Sequence, residues 1–249
     1  MIRTGLIGYG RWGKKLFNYL SKSSDLKFVS DSKKDYSSHL QKVDWVVVAT
    51  PNDTHFPIVK TCIEAGKNVF CEKPLTTKLE EAIELYSLAD KYGVKLYVSD
   101  IQNFRVNTFP INKINKIVRT KKSTSTIKQI LFNLTYHDIY KLYPYISKEP
   151  LSSIKVKNKK DKFNFVIDFG GIEYDFLYDI SSNYSSHLIN DVNQAGDDDI
   201  LPKMFDFVFN SDSDFSNNQS ISLFSLKLIE KLNCEIFKKV AIVGAGIFG

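Results

Sequence analysis

The chain has 249 residues, 43% hydrophobic and 25% charged. This is the balance of a globular protein rather than a disordered one, with length for one large domain or two of ordinary size. Its net charge of +6 is spread among acids without a basic stripe interleaved with aromatics, which argues against a nucleic-acid partner. No run reaches the roughly 20 apolar residues of a membrane span, and Cys62, Cys71 and Cys234 lack a neighbouring histidine cluster, so neither a disulfide framework nor a metal site is expected.

The N-terminus MIRTGLIGYG enters a strand pattern at once, with no signal-peptide pattern, and the expected location is cytoplasmic. Residues 2–7 predict a strand, GYGRWG a glycine turn, and KKLFNYLSKS a helix. LKFVSD (26–31) and DWVVVAT (44–50) predict two further strands, the second with the continuous valine run of a strand covered on both faces. PNDTH leads into the helix FPIVKTCIEAG, then come the strand KNVFCEKP, the helix TKLEEAIELYSLADKYG and the strand VKLYVSD. Strands alternating with helices at these lengths imply an α/β fold with a doubly wound parallel sheet.

Beyond about residue 120 the pattern changes. TIKQILFNLTY (126–136), SSIKVKN, KFNFVIDFG and IEYDFLYDIS carry the β-branched and aromatic enrichment of strands, which predicts a smaller α+β domain with a mainly antiparallel sheet. HDIYKLYPYI, PKMFDFVFN and SISLFSLKLIEKLN read as helices within it. The polar stretch RTKKSTST places the boundary near 118–122, giving a doubly wound first domain over 1–119 and a second domain over 120–233. Residues 234–249, ending KKVAIVGAGIFG, resemble the truncated start of another strand and glycine turn, and are expected as a disordered tail or an extra strand.

Gly8, Gly10 and Gly13 form GxGxxG between a strand and a helix. The first glycine permits the turn, the second lets backbone approach a pyrophosphate, and the third lets helix and strand pack closely. Arg11 and Trp12 lie inside this turn and are counted with the cofactor site. Asp31 ends the next strand, where an acid hydrogen-bonds ribose hydroxyls and favours NAD; Ser32, Lys33 and Lys34 would instead suit the 2′-phosphate of NADP. NAD is preferred, with NADP left open.

The order GLIGYGRWG, VVVATPNDTH and AGKNVFCEKPL resembles the Gfo/Idh/MocA (glucose-fructose oxidoreductase, inositol dehydrogenase, rhizopine catabolism) family of NAD(P)-dependent oxidoreductases. The resemblance implies hydride transfer between nicotinamide and a hydroxyl or keto carbon of a sugar, cyclitol or nucleotide sugar. It places Lys73 of EKP beside the reacting carbon, where an ammonium at a strand's carboxyl end can hydrogen-bond the reacting oxygen and share its proton. Glu72 would orient that site. Thr50, Pro51, Asn52 and His55 would line the cofactor, although Asn52, Asp53 and Thr54 are equally competent helix caps. The family's Asp-x-x-x-His element matches NLTYHDIY, giving His137 as the catalytic imidazole, with Asn133 in the acid's position and Asp138 adjacent. Asn133 and Arg105 are expected to contact substrate, and Tyr136, Tyr140 and Tyr143 to pack. Because an amide cannot stabilise an imidazolium as a carboxylate does, a catalytically silent dinucleotide-binding or regulatory subunit is the competing expectation. A homo-oligomer joined through the second sheet is also implied by the resemblance.

Overall fold

The structure, a computed structural model, describes all residues except 32–34, 106–107, 158–161, 195–199, 211 and 246–249; the side chains of 237–245 also lie outside the description. The chain divides into two units, one of Met1–Phe104 with Asp199–Leu226 and the other of Arg105–Asp198 with Lys227–Gly249.

The first unit holds β1 (Arg3–Ile7), α1 (Arg11–Ser23), β2 (Asp25–Ser30), β3 (Trp45–Val48), α2 (His55–Glu64), β4 (Asn68–Cys71), α3 (Leu79–Tyr92) and β5 (Leu96–Val98). The strands form one sheet in the order β2-β1-β3-β4-β5, with every pairing parallel. β3 is central and all four of its residues are buried, as its valine run demands. Alternation puts Leu6, Trp45, Val47, Phe70 and Tyr97 in one core cluster with Leu16 and Leu20 of α1. α6 (Leu201–Phe209) contributes Leu201, Met204, Phe205 and Val208 to the same cluster, with the Phe205 ring centroid 4.7 Å from that of Phe70 at a tilt of 34°. Each such fully buried side chain contributes about 1.5–3 kcal/mol of transfer free energy. Past α6, Asn218 at the start of α7 (Ser216–Ala245) exchanges hydrogen bonds with the backbone N–H and C=O of Val98, closing the outer edge of β5.

The second unit begins earlier than the sequence implied. β6 (Ile114–Thr120), assigned from sequence to the end of the first domain, pairs in the second sheet, whose order is β11-β10-β6-β9-β8-β7. Its other strands are β7 (Leu151–Val156), β8 (Lys162–Phe169), β9 (Ile172–Asp179), β10 (Ser186–Ile189) and β11 (Val192–Asn193). All pairings are antiparallel except β6 with β9.

Three other expectations are corrected. Residues 126–136, expected as a strand, are helical: α4 (Ile127–Ile130) runs through a π turn (Leu131–Thr135) into α5 (Tyr136–Ile146). The helix starts at a capping box in which Thr126 and Gln129 reciprocally bond each other's backbone, and that local signal prevails over the strand propensity of Ile, Leu and Phe. α6 and residues 216–226, expected in the second domain, belong with the first, because the apolar face of α6 completes the first sheet's core. At the C-terminus, α7 continues through residues 238–245 where a strand or disordered tail was expected. A short apolar run fits helix or strand equally, and extending an existing helix avoids a new nucleus. Residues 246–249 of that motif lie outside the described residues.

Among the described residues no helix is long and apolar enough to cross a membrane.

Candidate functional site

The strand order of the first sheet reverses between β1 and β3, and a crevice at such a reversal, outside the carboxyl ends of the strands, is where open parallel sheets bind ligands. The glycine turn follows β1, TPN follows β3, and EKP follows β4; all three leave adjacent strands at that edge.

The glycines divide the work of the turn. Gly8 has φ +107°, and a Cβ there would lie 2.3 Å from the Ala49 carbonyl oxygen; one on Gly13 would lie 2.0 Å from the Gly8 oxygen. These two let the turn press on the end of β3 and α1 press on the turn. A Cβ on Gly10 would meet nothing within 4 Å, so that glycine leaves open room at the start of α1. The N-terminus of α1 has no side-chain cap and no acid in its first turn, leaving its dipole suited to a phosphate. The residues present therefore fit a dinucleotide's pyrophosphate. Arg11 opens α1 and is exposed. Asp31, half-buried, directly follows Ser30, whose carbonyl accepts a 2.7 Å bond from the Gly8 N–H. Ser32, Lys33 and Lys34 lie outside the described residues.

Trp12 connects the glycine turn to EKP: its indole Nε1 donates to Glu72 Oε1 at 2.5 Å. The Glu72 backbone N–H donates to the Val48 carbonyl at 2.8 Å, extending the β3–β4 pairing by one residue. Burial pushes the Glu72 carboxyl above its usual range, opposed by the Trp12 donor, the Lys73 charge and Ser99. Lys73 is half-buried at the strand's carboxyl end, and the Lys73–Pro74 peptide is cis.

The TPNDTH segment makes a 3-10 turn over Asn52–Thr54 before α2, without side-chain caps. Pro51 is exposed and Asn52 half-buried. The Thr54 hydroxyl lies 2.8 Å from that of Thr50 and 2.7 Å from the Pro51 carbonyl. His55 differs from its expected place on the cofactor: it is 0% exposed, with Nδ1 2.8 Å from the Pro74 carbonyl and Nε2 2.9 Å from that of Thr50. Both ring nitrogens are occupied by backbone, so His55 clamps the TPN and EKP loops together. Its place at the start of a helix, opening an apolar face with Ile58, Val59 and Cys62, was the available signal.

In the second unit, His137 lies in the first turn of α5, half-buried, and Asn133 in the preceding π turn, exposed. Such single π turns recur at functional sites. Asp138 does not stand in for the missing acid. It is 0% exposed and directed at the sheet, where Arg119 of β6 grips both its oxygens (Nε at 3.0 and 2.9 Å, Nη2 at 2.7 Å) and the Tyr178 hydroxyl donates at 2.8 Å. His187 Nε2 lies 2.8 Å from Asp138 Oδ1, off the line of a good hydrogen bond. Despite burial, the Arg119 and His187 contacts hold the Asp138 carboxyl well below its usual range. Sequence reading gave His187 and Arg119 no role; an aspartate amid the apolar positions of HDIYKLYPYI was the signal that a partner had to exist. Tyr136 and Tyr140 are buried, as expected of packing residues. Arg105, half-buried, donates from Nη1 to the Gln194 carbonyl at 3.2 Å.

Residues 22–100 match the model of the Gfo/Idh/MocA oxidoreductase family, described as an NAD-binding Rossmann fold. An uncharacterized oxidoreductase of Escherichia coli, YdgJ, is 37% identical over 117 residues, which cover 39% of this chain and 34% of the relative. The chain thus spans about a third of the length of the curated relatives it matches first. Two solved structures share the fold across both units: the UDP-N-acetylglucosamine 3-dehydrogenase GnnA of Acidithiobacillus ferrooxidans (TM-score 0.77, 18% identity, 92% of this chain and 96% of that one) and the WlbA dehydrogenase of Thermus thermophilus in complex with NAD and α-ketoglutarate (TM-score 0.73, 13% identity, 92% and 94%).

Proposed function

From a chain that belongs, through its N-terminal domain, to the Gfo/Idh/MocA family of oxidoreductases, we propose an NAD(P)-dependent enzyme that moves a hydride between nicotinamide and the hydroxyl or keto carbon of a sugar, cyclitol or nucleotide sugar. The observation that carries the reading is the Trp12–Glu72 hydrogen bond, because it ties the pyrophosphate-binding turn to the strand end bearing Lys73. Both structural neighbours are named as dehydrogenases and one of them is in complex with NAD, which supports the reaction class.

Bound nicotinamide supplies or accepts the hydride. Gly8, Gly10 and Gly13, with the N-terminus of α1, bind the pyrophosphate; Asp31 takes the adenosine ribose and favours NAD; Thr50, Pro51 and Asn52 lie along the cofactor. In the reducing direction the Lys73 ammonium hydrogen-bonds the substrate carbonyl and donates a proton to its oxygen as the new C–H bond forms. In oxidation the C–H bond breaks with its electron pair leaving as hydride, and the hydroxyl proton returns to the Lys73 amine. By the family resemblance His137 serves as an acid–base group toward the substrate, and Asn133 hydrogen-bonds substrate hydroxyls.

Asn133 also supports a second reading, a dinucleotide-binding subunit that has lost its relay, since an amide neither accepts the proton nor steadies an imidazolium. Measuring NADH binding alongside NADH oxidation over a panel of keto-sugars separates the two. Binding with turnover on at least one substrate supports the enzyme, and binding with no turnover on any supports the silent subunit.

A further inference from the structure

Arg119 and His187 are paired directly across β6 and β10, so both side chains leave the same face of the second sheet, and both reach Asp138 of α5. His187 is 7% exposed. Its Nε2 lies 2.8 Å from Asp138 Oδ1, and the carboxylate's charge draws the ring's single proton to that nitrogen. Burial, with the charges of Arg119 and Lys141, keeps the imidazolium below its usual 6.5 against the pull of Asp138, so the ring is neutral at neutral pH. Nδ1 then carries a lone pair and, among the described residues, has no donor. Arg119 uses Nε and Nη2 on Asp138, and its Nη1 has no acceptor among those residues.

Both side chains form part of the wall of a cavity of about 110 Å³, which Lys121, Ser185 and the apolar Leu134 of the π turn help to enclose. Lys121 and Ser185 are exposed and mark its solvent side. A cavity of about 150 Å³ can hold a benzene ring, so this one has room for one small molecule. The wall selects the occupant. An oxyanion would meet the Nδ1 lone pair, and the Arg119 charge is already balanced by Asp138. A hydroxyl suits both open nitrogens, since its O–H donates to Nδ1 and its oxygen accepts from Nη1. Leu134 gives the occupant's carbons an apolar wall.

We propose that this cavity binds a small neutral polyol, with one hydroxyl held between His187 Nδ1 and Arg119 Nη1. Asp138 positions both side chains. The cavity's residues all lie in the second unit, and none of them has been assigned to the cofactor or to proton transfer, so the site stands whether or not the chain is an oxidoreductase.

The test is NMR titration of the full chain with erythritol and with its carboxylate counterpart erythronate, following the imidazole nitrogens of the four histidines. Erythritol should shift the His187 Nδ1 resonance saturably, with a Kd of about 10 mM or tighter, and leave the proton on Nε2. L134W fills the cavity and H187F removes the acceptor; each should weaken erythritol by about tenfold or more, read from the ligand's own resonances, with circular dichroism to verify folding. L134W decides the matter if H187F fails to fold, and the wild-type shift decides it if both fail. No saturable shift of Nδ1 at about ten times that concentration, tighter binding of erythronate than of erythritol, or binding that survives L134W would overturn the proposal.

Discussion

Trp12 and Glu72, sixty residues apart in sequence, meet through an indole N–H on a carboxylate oxygen, and the bond couples the first turn of α1 to the end of β4. Glu72 ionises reluctantly because it is buried, and the indole is one of the groups that make its charge tolerable. Replacing Trp12 with Phe keeps an aromatic ring and removes the donor. The variant should lose about 1.5–3 kcal/mol at neutral pH, the range for a hydrogen bond to a charged group. The sign follows from the raised carboxyl: the unfolded chain ionises first, near 4.5, so stability falls as pH rises from there through the higher folded value. Losing the indole lifts the folded value further. The gap between W12F and wild type in urea melts should therefore be small below pH 4.5 and widen toward neutrality; a constant gap would mean that only packing was lost.

His55 tests the clamp between the two loops. A neutral imidazole carries one N–H and donates to one carbonyl at a time; the imidazolium would serve both, but burial holds its pKa below the usual 6.5. H55A should destabilise the protein by about 2–4 kcal/mol through an unsatisfied carbonyl and a cavity, and should weaken NADH binding without any direct contact being lost. Because the folded pKa is depressed, the histidine's contribution is full above 6.5 and declines as pH falls through the folded value. Chemical denaturation between pH 5 and 8 reads this directly, and an unchanged midpoint for H55A would contradict it.

Asp138 anchors α5 to the sheet. D138A leaves Arg119 buried without its carboxylate and should cost about 3–5 kcal/mol. As its folded pKa is depressed, the stabilisation is present above 3.8 and lost as pH falls below it. Acid unfolding of wild type should steepen there, and D138N should lack that component. Retention of full stability in D138A would show that the anchor is dispensable.

The legibility of these features follows their range in sequence. The glycine turn, the alternating strands and helices of residues 1–100 and the EKP strand end were readable because each is a local pattern with a fixed physical cause. The return of α6 to the first core was not, since Met204, Phe205 and Val208 form an apolar face that would suit either sheet. The helical stretch 127–136 was misread for its β-prone residues, although the Thr126–Gln129 box marked its start; the helix that continues through 137–146 was legible from its spacing. Neither the Asp138 cluster nor the His55 clamp follows from spacing, because their partners stand 19 to 49 residues away for one and 5 and 19 for the other.

The proposed function gives Asp31 the choice between NAD and NADP. Its carboxylate would repel a 2′-phosphate, so wild type should bind NADH more tightly than NADPH, and D31S should narrow the difference by about tenfold. Competitive fluorescence titration of the two cofactors measures it, and tighter NADPH binding by wild type would reverse the assignment.

The proposed reaction requires the Lys73 amine to move the proton that accompanies hydride transfer. Single-turnover oxidation of bound NADH by a keto-sugar that wild type reduces, followed at 340 nm for wild type and K73M, tests it most directly. K73M should bind NADH with wild-type affinity and react about 10²–10⁴-fold more slowly. A K73M protein that binds NADH and reacts at the wild-type rate would contradict the claim.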